Sequence, residues 1–97
     1  MRLFTFIVEK ADGTYISQHS AHDLRQAVIK FCAYAEIAEI FPLSCEDCRM
    51  LVEDKDNPVA LDGLTNAWCM SHLGSDDELV GINIVLTDER PIEAIVE

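Results

Sequence analysis

Basic side chains are scarce in this chain of 97 residues, which has 7 Lys and Arg against 18 Asp and Glu and a formal net charge of −11. Residues 1–35 hold four basic and three acidic side chains, so residues 36–97 carry a net charge of −12. Nucleic acids and anionic membranes are both bound largely through Lys and Arg. We therefore expect no nucleic-acid partner and no membrane partner, and we expect a protein partner.

Long apolar runs are absent as well. No stretch approaches the roughly 20 apolar residues of a membrane-spanning helix. Residues 1–9 (MRLFTFIVE) place a glutamate directly after a short apolar run, so we expect no secretory signal. The expected location is the cytoplasm, where cysteines stay reduced. With 4 Gly, 3 Pro and no linker or internal repeat, the sequence predicts one domain over residues 1–97.

The start of the chain has the apolar alternation of β-strands. Residues 2–9 are apolar on both faces, which is typical of a central strand that is well covered. Asp12-Gly13 predicts a two-residue hairpin turn, because both residue types tolerate positive φ. The segment TYISQ then predicts the second strand of an antiparallel pair.

Two helices are predicted after this hairpin. Apolar residues recur at three- and four-residue spacing over residues 24–35, which predicts an amphipathic helix that packs on the sheet. Ser20-x-x-Asp23 resembles a capping box at its start. Ser44-x-x-Asp47 repeats this pattern and predicts a short second helix directly after Ser44. The first helix and the sheet should share one core that includes Phe6, Leu24, Val28, Phe31, Ile82 and Ile84.

The second half of the chain is predicted to end in strands. VALDGL predicts a short edge strand, and NAWCMSHLG and LVGINIVLT alternate on either side of the acidic turn SDDE, as the strands of a hairpin do. PIEAIV can form a last strand or a tail. The order β-β-α-α-β-β-β has no crossover pattern. It predicts an α+β fold, an antiparallel sheet of four to five strands with one long and one short helix on one face.

Two resemblances bear on the class of protein. TYISQHSAHDLRQAVIKF joins a strand directly to a helix and resembles the β-β-α start of HicB-type antitoxins over about residues 3–40, without the proline-glycine segment of those proteins. ISQ-x-x-A-x-D-L-x-x-A, with Asn66-Ala67-Trp68-Cys69 and the later INIVLT, resembles small uncharacterised bacterial proteins. The first resemblance implies an antitoxin-like regulatory module. The second implies no known activity.

The sequence contains one pattern of metal-ligand type. Cys45-x2-Cys48 followed by Cys69-x2-His72 has the count and spacing of a four-ligand zinc site. The second pair lies in a predicted strand, however, where an odd offset directs the side chains of Cys69 and His72 to opposite faces of the sheet. Zinc is therefore the alternative to a protein without a cofactor.

A thiol function is the other interpretation of Cys45 and Cys48. The start of a helix favours the thiolate form, but Glu46 and Asp47 between the two cysteines are anionic and oppose it. The simpler interpretation is that Cys48 packs inward while Cys45 is partly exposed, because free cysteine behaves as a small apolar residue. Cys32, on the apolar stripe of the first helix, has the same interpretation.

Other candidate residues are histidines, a tryptophan and an acidic turn. His19 and His22 flank the start of the first helix and suggest general-base chemistry, but no motif places a nucleophile beside them. Candidate contact residues for a protein partner are Trp68, which also suits a core position, and the acidic turn residues Asp76, Asp77 and Glu78.

The sequence thus favours a small, acidic, non-catalytic interaction or regulatory module that binds a protein partner. The alternative is a zinc- or thiol-based protein that uses Cys45, Cys48, Cys69 and His72. An enzyme built on the histidines is a third hypothesis. The sequence leaves open whether the chain forms a homodimer.

Overall fold

A computed structural model describes residues 1–11, 13–37, 43–74 and 77–88. The elements in these residues are β1 (Arg2–Lys10), β2 (Gly13–Ala21), α1 (Leu24–Ile37), α2 (Cys45–Glu53), β3 (Val59–Ala60), β4 (Ala67–Leu73) and β5 (Leu79–Asp88). The strands form one sheet in the order β2-β1-β5-β4-β3, and every neighbouring pair is antiparallel. The predicted α+β fold and its element order are confirmed. The last strand or tail predicted at residues 91–96 lies outside the described residues.

β1 is a central strand, as predicted, but it is buried fully on one side. Phe4, Phe6 and Val8 are buried, whereas the alternate residues Leu3 and Ile7 are only partly buried. The buried set faces the helices, because residues of both α1 and α2 belong to the same core cluster. The other side of the sheet is called the open face below, because neither α1 nor α2 covers it.

α1 supplies much of the core through the predicted apolar stripe. Val28 and Phe31 are fully buried, and Leu24 packs against the cluster at its edge. The ring of Phe31 stacks on that of Phe6, with centroids 4.6 Å apart and the planes nearly parallel. Burial of large apolar side chains of this kind is the main favourable term in folding, so this stack anchors α1 to β1.

The start of α1 differs from the prediction. The N-cap is Asp23 rather than Ser20, because the Gln26 amide donates to Asp23 Oδ1 at 2.8 Å. Ser20 lies within β2 and pairs with Leu3. The strand pairing with β1 extends to Ala21, so the backbone at Ser20 has strand geometry and cannot cap a helix.

The start of α2 confirms the predicted capping box. The Asp47 amide donates to Ser44 Oγ, and the Ser44 amide donates to Asp47 Oδ2, both at 3.1 Å. On the inner side of the helix, Cys48 and Leu51 are buried, as the pattern predicts. The box therefore fixes the rotation of a short helix whose inner face closes the core.

The predicted hairpins are present, with local differences. Gly13 pairs with Lys10 and is the first residue of β2 rather than a turn residue; Asp12 lies outside the described residues. Of VALDGL, only Val59 and Ala60 form a strand, which pairs with β4. β4 and β5 pair from Ala67 with Val85 to Leu73 with Leu79, which is most of their predicted length. No helix in the described part of the chain is long and apolar enough to cross a membrane.

Candidate functional site

The structure separates the members of the predicted zinc pattern. Cys48 is buried in the core beneath α2, and His72 is buried on the same side of the sheet. Cys69 is half-buried and lies on the open face, where it pairs with Val59 and Asn83. The prediction that Cys69 and His72 face opposite sides of a strand is confirmed. Cys45 is the first residue of α2, and its side chain lies outside the described residues.

His72 has a buried partner that the sequence pattern did not indicate. Its Nε2 lies 2.9 Å from Oδ1 of Asp47, and both side chains are 5% exposed. A carboxylate only accepts hydrogen bonds, so Nε2 of His72 is the donor. The other oxygen of Asp47 accepts the Ser44 amide. One side chain thus caps α2 and also ties this helix to β4.

The positions of Asp47 and His72 could each have been predicted separately from the sequence. The capping box predicts a carboxylate directed at the start of α2, and the alternation of β4 predicts His72 on the core face. A buried imidazole needs a hydrogen-bond partner, because leaving it without one costs about 1–3 kcal/mol. The missing information is the packing of α2 beside β4, which no local pattern specifies.

The positions of the four residues, with Cys69 across the sheet from Cys48 and His72, oppose the predicted zinc site. The nitrogen of His72 that faces α2 is engaged by a carboxylate, and Cys69 lies across the sheet from it. Within the ranges that the structure describes, no group of three or more His, Cys, Asp or Glu side chains could hold a metal ion. The contact joins α2 to β4, and we call it the Asp47–His72 tie.

α1 and α2 enclose a groove of about 670 Å³ on the helical side of the molecule. A volume of this size falls in the range of sites that take a small ligand or several side chains of a partner. We call it the α1–α2 groove, and its lining is mainly apolar: Ile29, Cys32, Ala33, Glu46, Cys48, Arg49 and Val52.

Charged side chains lie at the rim of the α1–α2 groove. Glu46 and Arg49 are both well exposed and stand 3.9 Å apart, a separation at which an exposed ion pair contributes little to stability. Both groups are therefore available to a ligand at little energetic cost. The sequence analysis missed this groove, although Ile29 and Ala33 are four residues apart and mark a second apolar flank on α1.

His19 lies in an aromatic cluster between β2 and α1. Its ring centroid is 5.7 Å from that of Phe6, 6.0 Å from that of Phe31 and 5.1 Å from that of Tyr34. Burial lowers the pKa of His19 from its ordinary value, and the nearby positive charge of Lys30 lowers it further. The neutral ring is therefore the form that the fold favours.

The structure places a hydroxyl beside His19, which the sequence analysis did not foresee. Ser17 Oγ lies 2.9 Å from His19 Nε2, because residues two apart on a strand share a face. In a serine hydrolase a carboxylate stabilises the imidazolium that forms, whereas here the charge that acts on the ring is the cation of Lys30. The pair lies where β2 packs on α1, with the ring of His19 beside Phe31 and Tyr34. His22 is exposed, and its amide donates to Gln26 Oε1 at the start of α1.

The candidate contact residues lie at opposite ends of the β4–β5 hairpin. Trp68 is half-buried, and its ring packs near that of Phe4 with centroids 6.3 Å apart. Asp77 and Glu78 are exposed at the turn, where Asp77 adopts a φ of 65° and its amide donates to Gly74 O. Asp76 lies outside the described residues. The hairpin thus does not bring Trp68 and the acidic turn together into one surface.

A scan of the chain against protein-family models, and searches of curated proteins and of solved structures, find no match. The interpretation of function therefore depends on the geometry of the molecule. The features that could support a function are the α1–α2 groove, the Asp47–His72 tie and the edges and open face of the sheet. Of these, the groove combines a volume in the range of binding sites with a mainly apolar lining and charged side chains at its rim.

Proposed function

We propose that this chain is a small, acidic, non-catalytic interaction module of the cytoplasm that binds a protein partner in the α1–α2 groove. The observation that carries the proposal is the groove itself, about 670 Å³ of mainly apolar lining between two helices. Grooves between helices bind the apolar face of a partner helix, which inserts side chains at three- and four-residue spacing. The resemblance of residues 3–40 to HicB-type antitoxins supports a regulatory role of this kind.

The charge of the chain indicates the chemistry of the partner segment. Residues 36–97, which include α2, carry a net charge of −12, and Glu46 stands at the rim of the groove. A segment with apolar anchors and flanking Lys or Arg would be attracted to this surface, and its association would be faster at low salt. Phosphate backbones would be repelled by the same charge, so nucleic acid is not the proposed partner.

Two matched substitutions test the groove. Ile29 lines it and is 39% exposed, whereas Met50 on α2 is 44% exposed and does not line it. I29E and M50E add the same charge to the surface of a helix, so both should leave the fold intact. We expect a partner captured from cytosol by the wild-type chain to bind M50E with unchanged affinity. Its affinity for I29E should fall by about tenfold or more.

Site-specific crosslinking supplies a second measurement. A photo-crosslinking residue at position 33, in the groove, should form a covalent adduct with the captured protein, and the same residue at position 50 should not. Equal crosslinking at both positions, or capture that I29E leaves unchanged, would place the binding surface elsewhere and refute the proposal.

The alternative of a zinc- or thiol-based protein stays a prediction with its own test. A zinc site that includes His72 would use its Nδ1, because Nε2 is bonded to Asp47. One equivalent of zinc per purified chain, lost together with the folded structure on chelation, would support the alternative. A folded chain that contains no zinc and is unaffected by a chelator would contradict the zinc form of the alternative.

A further inference from the structure

The two edges of the described sheet differ in how they are protected. β3, at one edge, has two residues and follows Pro58. β2, at the other edge, has nine residues and pairs with β1 in unbroken register. Natural edge strands are usually shortened, bulged or given Lys or Pro so that they do not pair with another chain. β2 shows none of these features, and its sequence GTYISQHSA contains no Asp, Glu, Lys or Arg.

The direction of the backbone groups in β2 follows from one hydrogen bond. In an antiparallel pair, a residue either exchanges both its N–H and its C=O with the opposite residue or directs both away. Nζ of Lys30 donates to the carbonyl of Ser20 at 2.6 Å, so the backbone groups of Ser20 point away from β1. Alternate residues share this direction. The outward groups are therefore those of Thr14, Ile16 and Gln18, together with Ser20.

We propose that β2 pairs antiparallel with β2 of a second copy of this chain, across a two-fold axis at Ile16. This register pairs Ile16 with its own copy and Thr14 with Gln18 of the second copy. It uses the outward N–H and C=O groups of these three residues and leaves the Ser20 carbonyl with Lys30. An axis at Ser17 would instead pair Thr14 with Ser20, whose carbonyl Lys30 already occupies.

The side chains on both faces suit this register. On the open face, Ile16 is 62% exposed in the single chain and would be covered by its own copy. On the helical face, Tyr15 would lie opposite Ser17, and His19 would lie opposite Gly13. Because glycine has no side chain, it leaves room for the ring of His19 beside it. Cross-strand pairs of these kinds stabilise antiparallel sheets.

Charge is the reason to choose a second copy as the occupant. Two chains of net charge −11 repel each other, and the repulsion is smallest where the surfaces that meet carry no charge of their own. β2 provides a neutral surface, and residues 1–35, which contain it, have a net charge of +1. Two-fold pairing at the β2 edge would also keep β5 and β4 of the two copies apart, because β1 lies between them and β2. The inference is independent of the α1–α2 groove, because it requires neither Ile29 nor α2.

Sedimentation equilibrium of the full chain, from micromolar to millimolar concentration, is the first test. We expect a reversible monomer–dimer equilibrium. I16K places two lysines face to face at the axis and should raise the dissociation constant about a hundredfold or more, since juxtaposed like charges cost several kcal/mol. L79K is the matched control, because Leu79 is 66% exposed on β5, away from the β2 edge. It should leave the equilibrium unchanged.

Amide exchange tests the register without any substitution. The amide protons of Thr14, Ile16 and Gln18 should gain protection as the wild-type concentration rises, while those of β3 should not. Q18P removes one outward N–H and none that pairs with β1, so it should keep the fold and weaken the dimer. A chain that remains monomeric throughout, a dimer that I16K does not weaken, or a dimer whose formation leaves these amides unprotected would overturn the proposal.

Discussion

The helices of the two halves of the molecule, α1 and α2, are attached to the common sheet by different kinds of contact. In the first half of the chain, α1 is held by aromatic packing, with the Phe6–Phe31 stack at its centre, and the charges of residues 1–35 nearly balance. In the acidic residues 36–97, α2 is held by Cys48 and Leu51 and by the buried Asp47–His72 contact. Apolar packing responds weakly to pH and to point changes in charge, whereas a buried polar contact depends on both partners.

The largest effect is expected from breaking the aromatic attachment of the first half. F31A removes a fully buried ring and leaves a cavity beneath α1, so it should lower the free energy of unfolding by about 3–5 kcal/mol. Denaturant titration measures the change. I29A, at a partly exposed position of the same helix, should cost less than about 1 kcal/mol. Similar losses from the two substitutions would show that the buried face of α1 is assigned wrongly.

A smaller but distinctive effect is expected from breaking the polar attachment of the second half. D47A removes one of the two hydrogen bonds of the capping box and leaves the buried imidazole of His72 without its acceptor, so it should cost about 2–4 kcal/mol. H72L should cost less, because the Asp47 carboxylate still accepts the Ser44 amide and Ser44 Oγ still accepts the Asp47 amide. A double-mutant cycle between positions 47 and 72 should give a coupling above about 0.5 kcal/mol. Additive losses would mean that the contact contributes nothing of its own.

The aromatic half should also show one pH-dependent contribution, from His19. Its pKa in the folded chain is lowered by burial and by Lys30, so the unfolded chain binds the proton first as the pH falls. The stability that neutral His19 contributes is therefore complete at pH values above its ordinary pKa of about 6.5. It is lost progressively as the pH falls below that value towards the lowered pKa of the folded chain. The free energy of unfolding, measured from pH 7.5 to about pH 5 in wild type and H19F, should fall less in H19F. Identical pH profiles would contradict this prediction.

The smallest effects concern the cysteines, which lie in both halves. Cys32 and Cys48 are buried, so a thiol reagent should modify them only on unfolding, whereas Cys69 is half-buried and should react sooner. We also predict that Cys45 reacts in the folded chain. Replacing Cys45 and Cys48 together by serine should keep the fold and cost about 1–2 kcal/mol, mainly from the buried hydroxyl at position 48. Loss of folding in the double variant would instead favour a metal-linked role.

Local patterns predicted the elements well where the sequence has one dominant period. The alternation in β1, β4 and β5, the apolar stripe of α1 and the capping box at Ser44 are all present in the structure. The prediction was wrong at Ser20, where the local sequence suits both a strand residue and the N-cap of a helix. The pairing of β2 with β1 continued through Ser20, and the cap formed at Asp23 instead.

Candidate sites were predicted less well, because each depends on elements that are distant in sequence. The offset of Cys69 and His72 was sufficient to separate them, since strand geometry alone decides it. The partner of His72 was not predictable, because Asp47 reaches it only when α2 lies beside β4. The α1–α2 groove likewise exists only where two helices meet, although Ile29 and Ala33 each appear unremarkable on one helix.

The sequence by itself determined the α+β order, the faces of the strands, the start of α2 and the acidic charge of residues 36–97. These features depend on contacts between residues close in the chain or on composition alone. Only the tertiary structure decided the sheet order β2-β1-β5-β4-β3, and with it the neutral outer edge of β2. It also decided the buried bond between Asp47 and His72. The physical reason is that strands and helices are arranged so that their apolar faces are buried together. Which strand pairs on each side of β1, and which helix packs above it, therefore depends on residues that are far apart in the chain.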